Sequence, residues 1–312
     1  MVNSQNSLKI SDLLQGDLQL TTPPNIYFEL QKVIDNPALS MEAAAAVIET
    51  DPALTIKLLK IVNSAFYGFA SKIVNIKRAV SLIGATELQN LVLAAIIIDK
   101  FSTMPGGIIS MQEFWAKSLY CGLIAKELAC LKAQSSEELF VCGLLHHIGQ
   151  LVFFRRIPEL ARSVLLAKQS NTDAEEIELE TSIIGFNHYE AGAALAELWR
   201  LPDIIIESIR LHTTPELESP CQAVASLVRI ANRYSLGNIK DMSLITDSLG
   251  LTKDHAELAL AKSQEEFDVI FKIFLPKLTF TFTHHDRYPP RIDLCIFNRK
   301  HRSVARLYTY TD

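Results

Sequence analysis

Leu144-Leu145-His146-His147-Ile148-Gly149 is the stretch on which the reading of the rest of the chain turns. An apolar run delivers two adjacent imidazoles to a buried position. The glycine that follows predicts a helix C-terminus, because glycine enters the left-handed conformation at little cost. Paired polar groups at the end of an apolar helix are the layout of a metal-binding helix end. Each neutral imidazole, however, offers one lone pair and no charge, whereas a carboxylate brings two oxygens and can bridge two ions. The stretch has the frame of a metal centre and lacks its anionic ligand.

The 312 residues, 49% of them hydrophobic, suffice for one large core or two smaller lobes. A formal net charge of −5, with the basic residues scattered, gives no long-range attraction to nucleic acid or anionic lipid. Neither nucleic acid nor a membrane is therefore an expected partner. Met1 to Leu20 lack the basic start and long apolar run of a signal peptide, and Leu91 to Ile98, the most apolar segment, falls well short of the roughly 20 residues that cross a bilayer. The expectation is a cytoplasmic protein. The five cysteines, Cys121, Cys130, Cys142, Cys221 and Cys295, are odd in number and show no CxxC or zinc-finger spacing, which reads as reduced, mostly buried thiols.

Up to Leu275 the chain alternates helix starters with apolar stripes, which predicts an all-α protein. Asp35-Asn36-Pro37 breaks one helix, and Ser40 caps the next. Asp51-Pro52 starts another, with Pro52 at the first helical position and Leu54, Leu58, Leu59, Ile61 and Val62 on its apolar face. Asn63-Ser64 closes it as a structural turn. A helix from Ile76 to Ile83 stops at Gly84, and the buried Leu88 to Ile98 segment runs to a loop at Met104-Pro105-Gly106-Gly107, where a lobe boundary is placed. Phe114-Trp115 then opens a long helix. The acids between Asp173 and Ile184 predict a solvated face. Past Pro276 two readings stay open: short strands, from the alternation of Thr279, Thr281 and Thr283 with Phe280 and Phe282, or a weakly packed extension.

Taken in order, these segments resemble the HDOD domain, a family of HD-related output domains of bacterial signalling proteins. In the first part the resemblance rests on Pro23-Pro24, Asp35-Asn36-Pro37, Asp51-Pro52-Ala53-Leu54, Leu58-Leu59, Asn63-Ser64 and Ala79-Val80-Ser81-Leu82-Ile83-Gly84. Farther on it rests on Phe114-Trp115 with Ser118, Gly143-Leu144-Leu145-His146, His188 with Gly192, Trp199-Arg200-Leu201-Pro202, and Ile209 with His212. It covers Pro23 to Phe274 and implies an all-helical, two-lobed fold, a bacterial host and a regulatory role. Residues 1–20 are then an N-terminal extension and 21–275 the HDOD domain, divided into a helical lobe at 21–107 and a degenerate HD-like lobe at 108–275. Residues 276–312 are a C-terminal tail.

The resemblance also implies which positions held metal in catalytic relatives, where one or two ions activate water for attack on phosphorus. The first histidine falls on Lys117, whose ammonium has no lone pair and repels a cation. The bridging aspartate falls on His147, the second of a histidine pair on Thr213, and the terminal aspartate on Asn232. His146, His188 and His212 keep their family identities, but in dinuclear relatives the first serves one ion and the other two serve the second. Hydrogen-bonded core histidines are expected, with no metal and no cofactor; were a metal bound, His146, His188 and His212 would hold it. His284-His285-Asp286 reads as an exposed turn, and Cys142, one turn before His146, as a packing residue rather than a nucleophile.

The function expected is a non-enzymatic signalling or regulatory module that acts through contacts with a protein partner. Tyr67 and Phe69, two rings flanking Gly68 in a loop, are the candidate contact. A metal-dependent phosphohydrolase or phosphodiesterase with a residual HD site is one alternative. A small-ligand or nucleotide sensor, using Lys117, His147 and Arg200 as phosphate contacts, is another.

Overall fold

The computed structural model describes residues 8–17, 20, 22, 25–36, 38–102, 109–132, 138–169, 173–212, 220–236 and 249–276. Pro23-Pro24, Pro37, the loop at Met104-Pro105-Gly106-Gly107, Thr213, His284-His285-Asp286, Cys295 and the tail beyond Pro276 lie outside them.

Among the described residues all regular structure is helical. The first group comprises α1 (Ile10–Leu13), α2 (Asn25–Ile34), α3 (Met41–Glu49), α4 (Pro52–Val62), α5 (Ile76–Ile83) and α6 (Ala85–Lys100). Its starts are chemically explicit. Asp51 accepts from the backbone N–H groups of Ala53 at 2.9 Å and Leu54 at 3.0 Å, while Pro52 fills a position whose N–H has no helical partner. Ser40 occupies the cap position of α3 without making a side-chain cap bond. α6 is apolar around most of its circumference and is buried accordingly, with Leu88, Leu91, Val92, Leu93, Ile97 and Ile98 inside. It packs chiefly against α2, α4 and α5, and meets α5 at a 117° bend beside Gly84. Among the described residues no single helix is long and apolar enough to cross a membrane.

The second group is built around α7 (Met111–Leu131), which carries Trp115 and packs against α8 (Leu139–Leu145). There follow α9 (Ile148–Arg156), α10 (Pro158–Ala167), α11 (Asp173–Ile183), α12 (His188–Leu198), α13 (Asp203–Arg210), α14 (Gln222–Ser235) and α15 (Lys253–Phe274). α15 lies along α7 and also touches α4 and α6, so one continuous apolar core joins the two groups. Tryptophan N–H groups add directional ties. Trp115 donates to the Phe101 carbonyl at 3.3 Å, and Trp199 to that of Leu20 at 2.7 Å.

Gly149 corrects an expectation. It does not end a helix: α8 stops at Leu145, His146 and His147 form the corner, and Gly149 lies in the first turn of α9. Its glycine is required by proximity instead. A Cβ there would stand 1.8 Å from the His188 carbonyl oxygen and 2.6 Å from the Gly192 nitrogen, so α9 and α12 meet backbone to backbone. Gly149→Ala should therefore cost about 3 kcal/mol or more, the upper end for overpacking against groups that cannot yield. Urea unfolding followed by circular dichroism measures it, and a midpoint within error of the parent would mean that the helices part freely.

Candidate functional site

The close crossing of α9 and α12 brings the corner residues of one helix to the first residue of the other. α12 begins at His188 behind a reciprocal cap in which Asn187 accepts from the Glu190 N–H at 3.0 Å and Glu190 accepts from that of Asn187 at 2.8 Å. His188 is fully buried, and one carboxylate oxygen of Glu180 on α11 receives both its backbone N–H at 2.8 Å and its Nδ1–H at 2.7 Å. Because a carboxylate can only accept, Nδ1 carries a proton, and with the ring neutral Nε2 is an acceptor. That Nε2 is 2.8 Å from Nδ1 of His147. His147 is the donor, and the chain runs from His147 through His188 to Glu180.

Two further imidazoles flank this chain. His146 bonds through Nδ1 to the Gly143 carbonyl at 2.6 Å, and its ring lies 3.8 Å from that of His147, centroid to centroid. His212 stacks on Tyr189 at 4.5 Å and lies 5.3 Å from His146. Burial, followed by the neighbouring His146, His188 and His212, holds the His147 pKa well below its ordinary 6.5, against the opposing effect of a hydrogen bond with Asn232. His147 is neutral at pH 7.

The structure thus brings Lys117, His146, His147, His188, His212 and Asn232 to one end of the second group of helices. Thr213 is outside the described residues. Lys117 and His147 line a common pocket with Gln150, Lys168 and Glu176. Arg200 does not join them: it is exposed at the turn after α12, with φ of 51°. Cys142 is fully buried and its thiol is pushed up to about 12 by burial, so it behaves as core.

These residues do not fit a dinuclear metal centre. Lys117 offers an ammonium and Asn232 an uncharged amide, neither of them an anionic ligand, and the His147 ring is hydrogen-bonded to the His188 nitrogen that would bind an ion. Among the described residues, the one group with metal-ligand spacing is Glu176, Glu180 and His188, whose ligand atoms lie within 4.8 Å of one another. It is engaged internally. Glu176 accepts from Lys168 at 2.5 Å and Gln150 at 2.7 Å, and Glu180 accepts from His188.

The two glutamates overturn the solvated face expected for α11, since Glu176 and Glu180 are 7% and 3% exposed. A signal was present. Ile177, Glu180 and Ile184 follow a three-and-four spacing, which puts Glu180 on the inward stripe.

The loop with Tyr67 and Phe69 is a separate feature. Asn63 clasps it: its Nδ2 donates to the Leu59 and Ile73 carbonyls, each at 2.7 Å, and its Oδ1 accepts from the Ile73 N–H at 2.7 Å. Tyr67 is half-buried and donates to buried Glu87 at 2.5 Å, while Phe69 is 37% exposed and stacks on Tyr67 at 6.0 Å. Lys126 reaches this loop from α7, placing its ammonium 3.1 Å from the centre of the Phe66 ring and bonding the Phe66 carbonyl at 3.2 Å.

A depressed histidine pKa has a thermodynamic consequence. The unfolded chain takes up a proton near the ordinary 6.5, and the folded chain does so only well below it. The contribution of His147 is therefore complete above 6.5 and is lost as pH falls, by up to about 1.4 kcal/mol per pH unit for each proton taken up. Urea unfolding at pH 7.5, 6.0 and 5.0 should show this loss, and His147→Phe should flatten the slope by about one proton. An unchanged slope would mean that His147 is already charged in the fold.

The family model of the HDOD domain matches residues 20–215. An uncharacterized protein of Treponema pallidum (strain Nichols) is 32% identical over 219 residues, which are 67% of this chain and 40% of that protein. The chain thus spans well under half the length of this curated relative. A crystal structure of an HDOD domain protein with unknown function from Geobacter sulfurreducens is 25% identical, with a TM-score of 0.65 over 81% of this chain and 93% of that one. A protein of Shewanella amazonensis SB2B that carries a provisional phosphohydrolase name has a TM-score of 0.69 at 24% identity, covering 86% of this chain and 99% of its own. At that identity the likeness concerns the fold. With the matched region embracing both the Asp51-Pro52 helix and the histidine corner, this all-helical, two-lobed chain belongs to the HDOD domain family, a regulatory branch of the HD-related proteins.

Proposed function

We propose that the chain is a non-enzymatic signalling module of the bacterial cytoplasm that acts by contact with a protein partner. The observation that carries this reading is the 2.8 Å bond between His147 and His188. It uses the nitrogen that would otherwise coordinate an ion, on the ring that stands where a bridging carboxylate would be required. Lys117, at the pocket wall, compounds the loss by placing a cation where a ligand would be. What is left is a rigid, hydrogen-bonded scaffold, and a scaffold can bind without catalysing.

The partner surface in this reading is the loop clasped by Asn63. Phe69 offers apolar area, Tyr67 fixes its position through Glu87, and Lys126 links the loop to the second group of helices. Aromatic side chains held in place lose little freedom on binding, which favours them as anchors.

Two outcomes test the proposal. Incubated with manganese, iron or zinc, the protein should hydrolyse neither a generic phosphodiester nor a cyclic dinucleotide, and His147→Asp alone should not create activity, because one bridging ligand without the others holds no ion pair. Hydrolysis that a chelator abolishes and that His188→Ala removes would replace this reading with the phosphohydrolase. Phe69→Ala should leave the melting temperature unchanged and weaken partner binding about tenfold, whereas Tyr67→Ala should itself cost about 1–3 kcal/mol by removing the hydroxyl that donates to buried Glu87. If both variants destabilised the fold equally, the rings would belong to the core.

A further inference from the structure

The pocket beside the histidine chain has an architecture that neither the bond from His147 to His188 nor the aromatic loop explains. It lies among α7, α9, α10 and α11, and Leu236 after α14 also lines it. Its lining mixes polar and apolar groups. The apolar ones include Phe114 and Phe154, both buried, and Leu165. The polar ones include Lys117, Gln150 and Lys168.

The two lysines differ in their partners. Lys168 is neutralised by Glu176 at 2.5 Å, and Gln150 donates to the same carboxylate at 2.7 Å. Lys117, largely desolvated, has only the longer-range attraction of Glu113 and Glu176, opposed by the repulsion of Lys168. Among the described residues it has no hydrogen-bonded counter-ion. Desolvation, with Lys168 next in effect, lowers its pKa, the response of a cation whose water has been removed without a carboxylate being supplied. An anion placed at its ammonium would restore that compensation, and the adjoining rings would take an apolar body.

Size narrows the choice. The cavity volume of about 90 Å³ accommodates roughly six to nine water-sized positions. A bare inorganic anion leaves the apolar lining uncovered, and a nucleotide, with more than roughly twenty heavy atoms, would leave most of itself outside this partly open space. We infer that this pocket binds a short amphipathic organic acid, with its carboxylate on Lys117 and its hydrocarbon against Phe114, Phe154 and Leu165. The site is separate from the aromatic loop, so it can fail without affecting the partner proposal.

The test is equilibrium binding to the full chain, by titration calorimetry and by the shift in melting temperature, with hexanoate, benzoate, inorganic phosphate and adenosine monophosphate as probes. Hexanoate or benzoate should raise the melting temperature saturably. Phosphate should bind at least tenfold more weakly, and the nucleotide should not displace hexanoate. Lys117→Met keeps the apolar stem and removes the charge, so it should weaken carboxylate binding at least tenfold. Leu165→Trp, which adds bulk to the lining and leaves Lys117 in place, should abolish binding even if the methionine variant folds poorly. Absence of carboxylate binding, undiminished binding by either folded variant, phosphate binding as tight as hexanoate, or displacement by the nucleotide would each overturn the inference.

Discussion

Everything at the histidine corner depends on how closely two backbones approach. At Gly149 the chain of α9 runs against the His188 carbonyl with no room for a methyl group. Side chains between packed helices normally keep their axes 8–10 Å apart, and removing the side chain allows closer contact. That approach places the last residue of one corner within hydrogen-bond distance of the first residue of α12. Were the helices held farther apart, His147 and His188 would each seek another partner, and the site would be a water-filled cleft.

The resulting chain of two imidazoles and a carboxylate also gives the corner a direction. Glu180 fixes the tautomer of His188, and that tautomer fixes the direction in which His147 donates. Each ring is thus assigned a role by its neighbour. In catalytic metal centres a carboxylate behind a histidine raises its strength as a ligand. Here the same arrangement strengthens its acceptance of a proton donor from another histidine. The machinery that orients a ligand has been kept, and the ligand's lone pair has been used within the protein.

Much of this fold was legible because the signals were local. Asp51-Pro52, the apolar segment within α6 and the stop at Gly84 each follow from propensity, capping or periodicity, and the helices lie where those rules place them. Gly149 was misread because a helix stop and a close crossing leave the same mark in sequence, and only the partner helix distinguishes them. Glu176 and Glu180 were misread for a related reason. An acidic run normally faces water, and although the spacing of Ile177, Glu180 and Ile184 turns Glu180 inward, it does not name the histidine eight residues later as its partner. The order of motifs pointed to the family, but the bond that joins His147 to His188 is a tertiary fact, as is the meeting of Lys117 with Phe154 and Leu165 in one pocket.

The clasp made by Asn63 has a chemical lifetime as well as a geometry. Its amide both donates and accepts against the backbone of Ile73, serving as one rung of a sheet where there is no strand. Only an uncharged amide can do this. Loss of ammonia from asparagine, a slow spontaneous reaction that accelerates on heating, would leave a carboxylate facing the Leu59 and Ile73 carbonyls in place of a donor. Two attractions would become repulsions at a stroke. Chemical ageing at Asn63 would therefore be felt in the aromatic loop it holds.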